Sequence, residues 1–194
     1  ELTEKMPEAR LLLIDSGLHI DRRACPARKL HRCVHCEPCN IMSGWAGAGA
    51  FSDGKLSLSE EVGGHIVDYL PRQEVRDLIA YADSIYLKHG APTLVHGLND
   101  PKVDEIMYEC SRHNIQLIPC PVRHLGTEKA FTVLRNMYET LMGCEGFEFR
   151  ERTSAQQLLV ENGKVAGVYL KDAAGEVSLA RAKKVVAAPG RGGA

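Results

Sequence analysis

The spacing of apolar positions divides the chain into stretches of different texture. Arg10-Leu-Leu-Leu-Ile-Asp15 is a short apolar run closed by an acid, the pattern of a buried strand, and Glu1–Ala9 before it reads as the tail of a helix. Residues 16–60 show no sustained period and hold four of the seven cysteines, so they predict a long structured loop, a length that usually carries function. Residues 61–144 return to helical spacing. Val75, Leu78, Ile79, Ala82 and Ile85 share one face, as do Val103, Ile106, Met107 and Cys110, and again Ala130, Leu134, Met137, Tyr138 and Leu141. Pro71 and Pro101 stand near the starts, where proline is tolerated. A short strand at Ile115–Ile118 and an irregular stretch through Arg123-His124-Leu125-Gly126 are expected between the second and third helices.

After residue 145 the period shortens to two. Phe147–Glu151, Ala155–Val160, Val165–Leu170 and Val177–Ala180 read as strands, with turns at Asn162-Gly163 and near Ala174-Gly175. Lys184–Ala188 reads as a last small buried strand before the turn Pro189–Gly193. The pattern predicts an α/β fold in three parts: 1–60, a mainly helical segment 61–144, and a return to strands over 145–194.

Composition narrows the function classes. With 24 basic and 25 acidic side chains the net charge is -1, so no global field draws the chain to nucleic acid or an anionic membrane. No apolar run approaches the ~20 residues needed to cross a bilayer, and no signal-peptide pattern opens the chain, which reads as cytoplasmic. Glu1 in place of Met and the turn at the other end read as an internal piece of a larger protein.

Two features carry chemistry on residue type alone. In dinucleotide-binding folds an acid at the end of the second parallel strand, about 20 residues past a glycine turn, accepts hydrogen bonds from the adenosine ribose. Asp15 has that position; the alternative is an ordinary strand-terminal Asp in a turn. The loop Ser43-Gly-Trp-Ala-Gly-Ala-Gly-Ala-Phe-Ser-Asp-Gly-Lys-Leu56 alternates Gly with Ala, which lets backbone amides approach a flat or anionic ligand. A flexible linker is the alternative, although linkers seldom carry Trp and Phe.

The stretch Cys36-Glu-Pro-Cys-Asn-Ile-Met-Ser-Gly-Trp-Ala-Gly-Ala-Gly-Ala-Phe-Ser-Asp-Gly-Lys-Leu56, the later Val122-Arg-His-Leu-Gly-Thr127 and the terminal Ala188-Pro-Gly-Arg191 resemble a family of bacterial FAD-dependent dehydrogenases, themselves similar to glutathione-reductase-type flavoproteins. Relatives carry Cys at Ser43, Gly at Ala46 and Ser at Gly192. The resemblance implies a Rossmann-like FAD-binding core interrupted by an inserted, mainly helical domain. It implies that Asp15 meets the ribose, and that Gly47, Gly49, Ser52 and Asp53 lie beside the cofactor. Backbone groups near Ser154 and Ala155 would meet adenine, and Gly190 and Arg191 would close over the cofactor.

Cys25, Cys33, Cys36 and Cys39 are spaced C-x7-C-x2-C-x2-C, with His31 and His35 interleaved. Three thiolates two residues apart can converge on one metal with Cys25 as fourth ligand, as an iron–sulfur cluster or zinc. Reduced thiols near the cofactor, or a redox-active pair, are the other readings. Cys110, Cys120 and Cys144 read as packing residues. His124 is a candidate acid or base near the flavin, and Arg123 a candidate holder of a substrate carboxylate or of an NAD(P)H phosphate. A helix cap at Thr127 with His124 as a turn residue is the structural alternative. The function expected is an FAD-dependent oxidoreductase passing hydride through its flavin, with a small-molecule substrate or nicotinamide cofactor as partner. Its rival is a non-enzymatic metal-binding or interaction module organised by the four cysteines.

Overall fold

The computed structural model describes residues 1–190. The chain forms two compact units, one built from Glu1–Ala50 together with the stretch from Tyr138 onward, the other from Phe51–Met137.

In the first unit, a single helical turn, α1 (Leu2–Lys5), precedes β1 (Leu11–Ile14), and a second short helix, α2 (Ala27–Leu30), lies in the cysteine-rich segment. β1 pairs in parallel with β4 (Phe147–Arg150), Leu11 opposite Phe147 and Ile14 opposite Arg150. The apolar run does form a strand, but Leu12 and Leu13 are exposed. Successive strand residues point to opposite faces, so β1 is uncovered on both sides at its centre. Beyond β4 an antiparallel meander follows: β5 (Ser154–Glu161), β6 (Lys164–Lys171) and β7 (Val177–Arg181), in the order β5-β6-β7. Asn162 and Gly163 both take left-handed backbone, the two-residue turn whose twist matches that of its flanking strands. At the next turn Asp172 Oδ1 accepts from the amides of Ala174 and Glu176, at 2.8 and 3.0 Å. Lys184–Ala188, predicted as a strand, is irregular, and Val186 is 84 % exposed. It pairs with no strand among the described residues, and an apolar sequence without a partner cannot satisfy its backbone groups as a strand.

In the second unit, α3 (Arg72–Lys88) and α4 (Pro101–Arg112) fall where the helical period places them, and α5 (Thr127–Met142) starts here and runs on into residues of the first unit. Proline opens α3 from Pro71, whose place before the first turn needs no donor. At α4 the Asp100 side chain accepts from Lys102 N at 3.1 Å, with Pro101 in the first turn. Periodicity overstates burial, however: only Val75 of the α3 face is buried, and no residue of α4 is. The core collects instead around Ala91, Leu125, Ala130 and Val133, with Leu56, Tyr86, Leu87 and Met137 packed against it. Ile115–Ile118 forms no strand. The strand pair of this unit is β2 (Lys55–Ser57) against β3 (Val122–His124), from segments that the sequence reads as loop and as irregular. No helix among the described residues is long and apolar enough to cross a membrane.

Candidate functional site

Asp15 follows β1 directly, and its backbone continues the parallel pairing: Asp15 N donates to Arg150 O, and Thr153 N to Asp15 O. Its carboxylate turns toward the glycine loop. Oδ1 accepts from the amides of Gly17 and Gly44, each at 2.7 Å, and among the described residues Oδ2 receives no hydrogen bond. The two backbones meet closely enough to form a bridge between Leu18 and Gly44, with Trp45 N donating to Leu18 O. Gly44 sits at φ +114, and a Cβ there would stand 2.5 Å from Leu18 O and 2.7 Å from Arg23 Cδ. Only glycine fits that approach.

Arg23 holds the loop from the other side. Its guanidinium is buried and donates to four backbone carbonyls: Asn40 at 3.0 Å, Ile41 at 2.8 Å, Trp45 at 2.5 Å and Gly47 at 2.8 Å. Burial pulls its pKa below the ordinary arginine value, against the opposing pull of the Asp15 carboxylate and the Cys39 sulfur. Sequence reading passed over Arg23 because an arginine in a segment without period carries no local sign of burial. Trp45 anchors the start of the loop in edge-to-face contacts, with ring centroids 5.0 Å from Tyr138 and 5.4 Å from Phe149, while His19 packs 4.3 Å from Tyr138.

Past these anchors the loop turns through Gly47–Phe51 as a 3-10 helix. Beyond the glycines' own neighbours in the chain, no described residue lies within 4 Å of where a Cβ at Gly47 or Gly49 would stand, so this face is open to close approach by a ligand. Ala46 holds φ +65, the left-handed region that disfavours a side chain, at the position where the resembled family has Gly. Ser154 and Ala155 begin β5, opposite Lys171 and Leu170. β5 is an edge strand, so alternate backbone groups point away from β6 and are available to a ligand. Gly190 ends the described chain with left-handed backbone, and Arg191 lies outside the described residues.

The remaining candidates belong to the second unit. Ser52 Oγ accepts from Gly54 N at 3.1 Å. Asp53 pairs with Lys55 at 2.6 Å, a hydrogen bond that holds its carboxyl below the usual carboxylate range. His124 is exposed on β3, opposite Lys55, with its ring centroid 6.4 Å from that of His96. Arg123 is turned inward: Nε and Nη2 clasp the Asp83 carboxylate at 2.5 and 2.6 Å, and Nη1 donates to Pro92 O at 2.6 Å. That geometry spends the fork inside the fold, in place of the substrate contact expected of it. The four clustered cysteines are free thiols, and among the described residues no three His, Cys, Asp or Glu side chains converge as a metal site requires. Along the chain α2 stands between Cys25 and the other three, and the segment that carries those three has left-handed backbone at His31 and His35.

A family model described as an FAD binding domain matches residues 3–194. The chain belongs to the FAD binding domain family. No curated protein matches it. Membership makes it a flavin-dependent oxidoreductase by family, and it agrees with a glycine loop whose course is fixed by Asp15 and Arg23 and which is open at Gly47 and Gly49. An FAD binding domain needs main chain that a pyrophosphate or a ring can approach closely, and Gly47 and Gly49 leave that room, with the Gly47 amide itself donating to Gly44 O at 2.8 Å. Neither iron–sulfur nor zinc finds support in the thiols as they stand.

Proposed function

We propose that the protein is an FAD-dependent dehydrogenase of the glutathione-reductase-like kind, bacterial and cytoplasmic, exchanging hydride with a small-molecule substrate or NAD(P)H. In this reading a Rossmann-like core is interrupted by the helical segment, residues 61–144. The observation that carries it is the glycine loop of an FAD binding domain, pinned by Asp15 and Arg23 yet open at Gly47 and Gly49. FAD, when bound, supplies the two-electron redox chemistry, and the protein supplies binding, orientation and proton management.

The open backbone at Gly47 and Gly49 would let the cofactor's polar spine approach closely, with Ser52, Asp53, Gly190 and Arg191 as further contacts. The oxygen of Asp15 not engaged by the loop would accept from the ribose. Edge-strand groups of Ser154 and Ala155 would meet the adenine. His124 is exposed on its strand and can hold or release a proton at an imidazole nitrogen, the task of an acid or base partner to hydride transfer. Arg123, by its clasp on Asp83, fixes the strand that carries His124.

The test is direct. The full-length protein should release FAD on denaturation, and its visible flavin absorbance should bleach anaerobically with NADH, NADPH or a reducing substrate. His124→Asn should slow bleaching at least tenfold with flavin occupancy unchanged, a barrier change of about 1.4 kcal/mol. A protein that neither carries FAD nor takes it up would overturn the proposal.

A further inference from the structure

The Cys33-Val-His-Cys36-Glu-Pro-Cys39 run is left unused by the flavin reading, and its thiols are neither bridged nor gathered around a metal. Cys33 and Cys39 are exposed and Cys36 is half-buried. The two C-x2-C pairs have the spacing of dithiols that close and open a disulfide, and they share Cys36.

The surroundings separate the two pairs. Cys39 stands on fixed backbone: its carbonyl accepts from Met42 N at 3.0 Å and Ser43 N at 2.9 Å, and the next two carbonyls, of Asn40 and Ile41, are gripped by Arg23. The buried guanidinium thus fixes the main chain directly after this exposed thiol. Cys33 has no such support. Its sulfur accepts from His35 N at 3.4 Å, a contact within its own short exposed segment.

We propose that Cys39 and Cys36 form a thiol–disulfide exchange site for an external disulfide, a low-molecular-weight or protein disulfide reaching the exposed Cys39. The Cys39 thiolate attacks one sulfur of the external disulfide, forming a mixed disulfide and expelling one thiolate. The Cys36 thiolate then attacks Cys39 Sγ, closing Cys36–Cys39 and expelling the second thiolate. Two protein thiols lose two protons and two electrons, and the external disulfide gains both as two thiols. The site stands independently of the flavin reading, since it requires only this segment and Arg23.

The reduced full-length protein is treated with 5,5′-dithiobis(2-nitrobenzoate), or with oxidised glutathione, and mapped by peptide mass spectrometry. The expected result is a Cys36–Cys39 linkage with no adduct retained on either residue. In Cys36→Ser the adduct stays on Cys39, and in Cys33→Ser the Cys36–Cys39 linkage still forms. Stable adducts on both Cys36 and Cys39 in the unaltered protein, or loss of the linkage in Cys33→Ser, would overturn the proposal. Each variant exchanges one sulfur for oxygen at a position that is not fully buried, and circular dichroism verifies that the fold persists.

Discussion

Replacing Arg23 by Met removes four hydrogen bonds at once and keeps most of the aliphatic stem. Bonds from a charged donor contribute about 1.5–3 kcal/mol each, which would make the loss very large if it stood alone. Two effects reduce it. The desolvation of a buried guanidinium, several kcal/mol and visible here as a lowered pKa, is no longer incurred. The carbonyls of Asn40, Ile41 and Gly47 are bound in partly buried positions, where water can replace the arginine. The Trp45 carbonyl is different, because its bond is buried and removal leaves an orphaned acceptor at about 1–3 kcal/mol. The net expectation is a loss of about 3 kcal/mol, or a midpoint lowered by roughly 6–12 °C at about 2–4 °C per kcal/mol for a domain of this size. Arg23→Lys keeps the charge but not the fork, so it should fall between the two. The assay is urea unfolding followed by the emission of Trp45, the one tryptophan in the chain and itself in the loop. A loss below about 1 kcal/mol with unchanged Trp45 emission would show that Arg23 does not hold the loop.

Two further substitutions probe the loop face. Gly49→Val should leave the melting temperature unchanged, because a Cβ there meets nothing, yet weaken FAD binding at least tenfold in a fluorescence titration; equal affinity would remove the loop from the cofactor site. Ala46→Gly should stabilise the protein by about 1 kcal/mol in urea unfolding, by relieving a left-handed alanine, and an unchanged midpoint would show that the φ of +65 is not strained.

The long helices and the meander were legible because their signals are local. α3 and α4 announce themselves by a 3.6 period behind a proline, and the β5–β6 hairpin by Asn162-Gly163 between alternating runs. What no window of sequence displays is pairing between distant segments. β2 and β3 lie more than sixty residues apart and are each three residues long, so neither has a period to read. Lys184–Ala188 shows the converse error, an apolar run that reads as a strand while strand formation depends on a partner. At the site, the glycine alternation and Asp15 were visible as residue types. That the Asp15 carboxylate would reach the loop amide of Gly44, that Arg23 would be buried against four carbonyls, and that Arg123 would turn inward to Asp83 depend on contacts 17 to 40 residues away. Charge alone does not indicate which arginine is buried.

The loop's conformation is specified by two ionised side chains that lie outside it in sequence, both acting on its main chain. Shape and surface are thereby assigned to different residues. Substitutions at exposed Ala48 and Gly49 alter what the loop presents without touching what keeps it in place, whereas changes at Asp15 or Arg23 alter its course while leaving its presented atoms the same. Ligand preference along this stretch can accordingly drift through many sequences at nearly constant stability, and the mutational record of such a loop should be permissive at its tip and intolerant at two positions a reader of the loop alone would never inspect.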